Sequence, residues 1–394
     1  MLPSPTRSQP ICLDHQATTP CASEVVEAMA PWWTEQWGNP SSRQHRLGLT
    51  ASAAVAEARD RLARILAVES ERVIFTSGAT EANNLALLGH ARGRARQRGG
   101  PGHLISVCTE HHAVLDPLQQ LTEEGFRLTL LQPDPDGLVS PEELKAAIRD
   151  DTLLVSVMAA NNEIGVLQPL ADLSRLCREH SISLHSDAAQ AFGNLPFEPD
   201  ALGVDLVSLS AHKIYGPKGI GALVLRPELA IQPLMFGGDQ EQGLRPGTLP
   251  VPLIVGFARA AELAISDRSE RRQRLRLLRD RLWRGLQAAV PDLLCNGSME
   301  HRLDHNLNIT IPGVSGSRLH QELRRLVTCS SGSACSRGTP SHVLLALGRS
   351  RNEAEASLRL SLGRQTSSED IDRAIAAIST VTQTLRSSSG IGNP

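Results

Sequence analysis

Ser208-Leu-Ser210-Ala-His212-Lys213 closes an apolar run that begins at Asp205, and Ile214-Tyr-Gly-Pro-Lys-Gly-Ile-Gly221 leads away from it. A short run of Leu, Val and Ser followed at once by turn formers reads as a strand ending at the mouth of a loop. Six further runs of this kind surround it: Arg72 to Phe75, His103 to Cys108, Phe126 to Leu131, Leu153 to Met158, Ser183 to Ser186 and Ala222 to Leu225. Helical patterns fill most of the gaps. The alternation predicts an α/β fold, a mainly parallel seven-stranded sheet between helices, with ligand-binding loops at the strands' carboxyl ends.

The rhythm changes at Glu262. From there to about Val290 one long helical pattern carries Leu275, Leu278, Leu282 and Leu286 on one face with eight arginines around it; it is expected to link two domains and to turn its arginines to solvent. Beyond it, Leu307 to Ile311 and Arg359 to Leu362 read as strands, Ser317 to Arg325 and Asp370 to Leu385 as helices. These predict a smaller α/β C-terminal domain. The expected limits are 15–261 for the large domain, and 1–14 with 262–394 for the small one.

With 394 residues, 41% hydrophobic and 21% charged at a net charge of -2, the chain suits a two-domain globular protein and has no overall bias toward nucleic acid or membrane. No apolar run approaches the ~20 residues of a membrane span, and no secretory signal is visible. The seven cysteines are scattered without CxxC pairs, which favours neither a disulfide framework nor a metal site. A reducing cytoplasm is the expected location.

Of 40 cationic residues, only Lys145, Lys213 and Lys218 are lysines. Arginine cannot form an imine, so lysine chemistry has three candidates. Lys145 falls in a Glu-rich helical pattern and Lys218 in a Gly/Pro turn, both expected to be solvated. Lys213 stands at an apolar strand end, where a charged amine is costly unless it is neutralised.

Four other loops follow strands. Thr76-Ser-Gly-Ala-Thr80-Glu81 opens a helix with small residues, which suits either an ordinary N-cap turn or a phosphate cradle. Leu184-His-Ser-Asp187-Ala-Ala-Gln190 sets a carboxylate at a strand tip, as a helix cap or as the partner of a protonated ring nitrogen. Thr109-Glu-His111-His112 and Asn161-Asn162-Glu-Ile-Gly165 offer an imidazole and amides, structural or functional. Ser330-Ser-Gly-Ser-Ala-Cys335-Ser-Arg-Gly-Thr339 is too small and polar for core, so the Cys335 thiol is expected to be exposed on a mobile loop. Cys12, Cys108, Cys177 and Cys295 are expected to be small buried hydrophobes, and Cys329 also to be buried.

Together with Leu13-Asp-His-Gln-Ala-Thr-Thr-Pro20, Gly38-Asn-Pro-Ser-Ser-Arg43 and Ser361-Leu-Gly-Arg364, these segments resemble the class V aminotransferases, specifically cysteine desulfurases of the NifS/IscS kind. The resemblance implies a fold-type I pyridoxal 5'-phosphate enzyme with Lys213 as the Schiff-base lysine. Ala79, Thr80, Ser210 and His212 match phosphate-binding positions, Asp187 the partner of the pyridine nitrogen, Asn162 and Gln190 those of the ring oxygen, and His111 the stacking imidazole. Thr248, in Leu244-Arg-Pro-Gly-Thr248, matches a threonine that completes the phosphate cup of a neighbouring subunit, which implies a homodimer with shared sites. Asn39 and Arg359 match positions that hold the substrate carboxylate.

The resemblance further implies conversion of L-cysteine to L-alanine, with the sulfur carried as a persulfide on Cys335 to an acceptor such as an iron-sulfur scaffold. Cys335 is in that case also a candidate ligand of a transient shared cluster, and no resident metal is expected. The stretch between Cys335 and Pro340 is short for an IscS-like loop, and Ser387 to Pro394 does not resemble the family's scaffold-contacting tail. The alternatives are a cysteine, cystine or selenocysteine lyase of the same cofactor class, and a non-catalytic sulfur-relay protein.

Overall fold

The computed structural model describes residues 10–331 and 339–388. After a two-residue strand, β1 (Ile11–Cys12), come the strands of the main sheet: β2 (Val73–Thr76), β3 (His103–Val107), β4 (Arg127–Leu131), β5 (Thr152–Ser156), β6 (Ser183–Asp187), β7 (Leu206–Ser210) and β8 (Gly221–Leu225). Their spatial order is β2-β8-β7-β6-β5-β3-β4. Neighbours from β4 through β7 pair in parallel, while β8 is antiparallel to both β7 and β2. The segment between β7 and β8 is too short for a crossover helix, so the chain turns straight back. Six strands therefore share one direction, and their carboxyl ends meet the start of β8 along a single edge.

Strands β2, β3, β5, β7 and β8 are buried throughout, which explains runs of Val, Ile and Leu where an exposed sheet would alternate. Polar residues inside the sheet are paired across it. His185 lies between Ser156 Oγ at 2.8 Å and Ser208 Oγ at 3.0 Å, and burial drives its imidazole down to about 3. The ring is neutral, one nitrogen donating and the other accepting.

The long helix expected from Glu262 is two helices, Val251–Ser266 and Arg268–Ala289. The first packs into the core around the main sheet. The second packs with a three-stranded antiparallel sheet, β9 (Leu294–Cys295), β10 (Asn306–Thr310) and, after β11 (Val327–Thr328), β12 (Ser357–Ser361), together with the helices Gly316–Leu323 and Ser368–Ser388. At the break, the Arg271 guanidinium bonds Asp267 and donates to the carbonyls of Ala264 and Gly193, each at 2.7 Å. Ala264 lies in the last turn of the first helix, where carbonyls lack intrahelical donors, and Arg271 supplies one while tying the break to the loop at Gly193. Arg271 and Arg279 are buried, so the arginine-rich face is not simply solvated as the sequence suggested.

Strand β1 pairs in parallel with β11, Ile11 opposite Val327, which ties the chain's start to the second core. No helix among the described residues is long and apolar enough to cross a membrane.

Candidate active site

The edge formed by the strand ends opens on a cavity of about 640 Å³. Ten residues expected at a site line it: Ala79, Thr80, His111, Asn162, Asp187, Gln190, Ser210, His212, Lys213 and Arg359. Two others do not. Asn39 is exposed, its side chain accepting from Ser41 N at 2.9 Å, and Thr248 is exposed; neither borders the cavity. Cys335 lies outside the described residues.

Lys213 follows β7 in a short 3-10 turn. Its Nζ donates to the backbone oxygens of Gln16 at 2.6 Å and Ala17 at 2.8 Å. These two carbonyls accept from the amine and offset part of the cost of placing it at the strand end. Lys218 is exposed and contributes to the cavity's rim.

Across the cavity, the turn after β2 passes through Gly78 at φ +154 before the helix that opens at Ala79. Gly221 makes this possible, since a Cβ there would stand 2.7 Å from Gly78 Cα. Amides in the first turn of a helix lack intrahelical partners. Beside them Ser210 is almost wholly buried, and its Oγ has no hydrogen-bond partner among the described residues. Glu81 secures the turn, accepting from Ser77 N at 2.6 Å and from Arg245 Nε at 2.9 Å.

Asp187 ends β6 with its carboxylate doubly bonded: Oδ1 accepts from Ala189 N at 2.9 Å, Oδ2 from Asn83 Nδ2 at 2.7 Å. It therefore caps its own turn and also faces the cavity. Asn83, fully buried, escaped the sequence reading. The signal available was an amide among the apolar residues Ala82, Leu85 and Ala86 of one helical run. Gln190 donates to Gln16 O at 3.2 Å.

His111 caps the helix His112–Glu123, its Nδ1 accepting from Ala113 N at 3.0 Å. Burial pushes its imidazole below the usual range; Asp187 opposes this, while Lys213 and the neighbouring His112 and His342 reinforce it. With Nδ1 accepting, the neutral ring carries its proton on Nε2. His212 is held down at about 4 by burial and by Lys213 and Lys218, and its Nδ1 lies 3.1 Å from Thr18 Oγ1.

Arg359 is almost fully buried on β12; it donates to Asp14 Oδ1 at 2.7 Å and to the Asn162 carbonyl at 2.9 Å. Its backbone bonds Ser330, the start of the cysteine segment. Cys329, just before it, has a thiol driven up to about 12, chiefly by burial and further by Asp14, so it is protonated at neutral pH and a poor nucleophile. Cys177 is buried, Cys108 and Cys295 are half-buried, and Cys12 is exposed, against expectation, because β1 lies at the margin of the fold and pairs only with β11.

The class-V aminotransferase family model matches residues 11–374. "Cysteine desulfurase IscS" of Rickettsia typhi is 44% identical over 381 residues, 96% of this chain and 92% of the relative. A solved NifS-like protein superposes with a TM-score of 0.89 at 35% identity, covering 95% of this chain and all of that one. A structure of SspA in complex with cysteine superposes at 0.77 with 36% identity, covering 89% and 98%. The chain thus belongs to the class V aminotransferases, among the cysteine desulfurases of the NifS/IscS type.

Proposed function

We propose that the protein is a pyridoxal-phosphate-dependent cysteine desulfurase, converting L-cysteine to L-alanine and passing the sulfur on from a Cys335 persulfide. The observation that carries this is the cavity itself, which gathers Lys213 and Ser210, Asp187, His111 and Arg359 from four separate segments. The residues fit the cofactor: Ser210 Oγ is an unpartnered buried hydroxyl beside a glycine-lined turn, where a phosphate would accept its proton and those of the helix amides. When bound, pyridoxal 5'-phosphate supplies an aldehyde carbon for an amine and a ring that accepts electron density.

The chain's own groups do the rest. Ala79, Thr80, Ser210 and His212 hold the phosphate, and Thr248 completes the cup of a neighbouring subunit in a homodimer. Asp187, oriented by Asn83, would pair with a protonated ring nitrogen, and Asn162 and Gln190 would bond the ring oxygen. Lys213 would anchor the cofactor, its amine would serve as a base at the substrate α-carbon, and His111 would offer the proton on Nε2 beside it. Arg359 would bind the substrate carboxylate, a role for which Asn39 also matches a position.

The Cys335 thiolate bonds to the substrate sulfur and the carbon-sulfur bond breaks. Its electron pair stays on carbon, which takes a proton, leaving alanine and a protein persulfide. The Cys329 thiol, driven up to about 12 chiefly by burial, is a poor rival, which supports Cys335 in this role. The persulfide then serves iron-sulfur assembly or another thiolation pathway through a protein acceptor, in a reducing cytoplasm. The two-domain division belongs to the same proposal, with 15–261 around the cofactor and 1–14 with 262–394 carrying the cysteine.

Amino-acid analysis after incubation with L-cysteine and a thiol acceptor tests the reading. Stoichiometric alanine with sulfur on the acceptor supports it. Pyruvate and ammonia in place of alanine would overturn it in favour of a lyase.

A further inference from the structure

Gln16 sits in the Leu13 to Pro20 segment, is about 1% exposed and lines the same cavity as Arg359. Its side chain is half satisfied. Oε1 accepts from Asn306 Nδ2 at 2.5 Å, while Nε2 is buried with no hydrogen-bond partner among the described residues. A buried amide donor without an acceptor is costly, and such groups are few in folded proteins.

The amide's orientation is fixed by its neighbours. Arg302 is buried and can only donate, and its guanidinium lies 3.1 Å from Asn306 Oδ1. Asn306 therefore turns its NH2 away, toward Gln16 and toward the carbonyl of Glu163 at 3.1 Å. Gln16 must meet that NH2 with its oxygen, and the nitrogen is the atom left over.

A second orphaned donor stands nearby. Arg359 Nε is also buried and without a partner. The two residues are held together by β12: Gln16 N donates to Ser361 Oγ at 2.9 Å, Ser361 lies two positions from Arg359 on the same strand face, and Asp14 pairs with both Arg359 and the Ser361 backbone. Two unsatisfied donors bordering one cavity call for an anion with acceptor atoms on each side, as a carboxylate has.

We propose that Gln16 Nε2 is a second contact for the substrate carboxylate, acting with Arg359 to select α-amino acids over simple amines. This deepens the desulfurase reading and rests on it. Gln16 thereby links substrate to catalyst, because its backbone oxygen holds the Lys213 amine in place.

The test is calorimetric titration of the Cys335→Ser holoenzyme, which cannot accept sulfur, with L-cysteine and with cysteamine, which lacks only the carboxylate. Gln16→Met removes the donor; Gln16→Glu keeps an oxygen for Asn306 and puts an anion where the donor stood. Loss of a hydrogen bond to a charged acceptor corresponds to about 10- to 100-fold in affinity. The preference for cysteine over cysteamine should shrink by that factor in Gln16→Met and further in Gln16→Glu, with cysteamine binding unchanged. Equal weakening of both ligands, or an undiminished preference in both variants, overturns the inference while leaving the desulfurase reading intact. No preference in the parent holoenzyme would remove the substrate reading and the inference with it.

Discussion

The Lys213 amine lies 2.6 Å from the backbone oxygen of Gln16, so the amine proposed to anchor the cofactor is held by a segment almost two hundred residues away in sequence. That segment in turn hangs on β12 through Ser361. Lys213, Arg359 and the segment from Asp14 to Ala17 are thus one hydrogen-bonded assembly.

Replacing Lys213 by alanine should abolish the visible absorbance of the bound cofactor and lower turnover by about 10²- to 10⁴-fold, the range for loss of a positioned acid-base group. Borohydride reduction followed by peptide mapping should place the cofactor on Lys213 and on neither Lys145 nor Lys218.

Ser210→Ala should weaken retention of the cofactor by about tenfold or more, the usual loss for a hydrogen bond to a charged acceptor. Because the unliganded hydroxyl is itself unsatisfied, the same change should leave the apoprotein's melting temperature the same or higher. Equilibrium dialysis with pyridoxal phosphate and a thermal melt of the apoprotein check the two halves.

Asn83→Leu leaves Asp187 Oδ2 without its donor, and Asn83→Asp sets a second carboxylate against it. Both should reduce kcat, the aspartate variant more, by at least about tenfold, with KM for cysteine little changed. A shift in the pH dependence of the cofactor's absorbance should accompany the loss; a purely structural asparagine would not produce it.

His185 and His305 are buried, and burial lowers each to about 3; His90 lies at about 4 for the same reason. Their folded values fall below the ordinary 6.5, so the unfolded chain binds more protons as pH drops. Their contribution to stability is present above about pH 6.5 and is lost progressively as pH falls toward 3. Urea midpoints should decline across that window, and His185→Gln should flatten part of the decline.

The main sheet was legible in the sequence because both of its faces are covered and its strands read as short apolar runs. The cavity was legible because Lys213, Asp187 and His111 each follow such a run. What escaped notice depends on contacts between distant segments: Asn83 on Asp187, the Gln16 and Ala17 carbonyls on Lys213, Asp14 on Arg359. The helix break at Asp267 also escaped, since helical patterns run on both sides of it and the Arg271 bonds to Asp267, Ala264 O and Gly193 O that mark it form only in the folded chain. Burial of Arg271 and Arg279 has the same origin; composition alone marks such residues as surface.

The central claim is that sulfur from cysteine comes to rest on Cys335. Intact-mass and peptide mass spectrometry after brief incubation of the holoenzyme with L-cysteine, in the absence of reductant, measures this directly. The account expects one added sulfur atom on the peptide containing Cys335, removable by a thiol and missing in Cys335→Ser. A sulfur adduct on Cys329 or Cys12 instead, or alanine formation at an undiminished rate in Cys335→Ser, would contradict it.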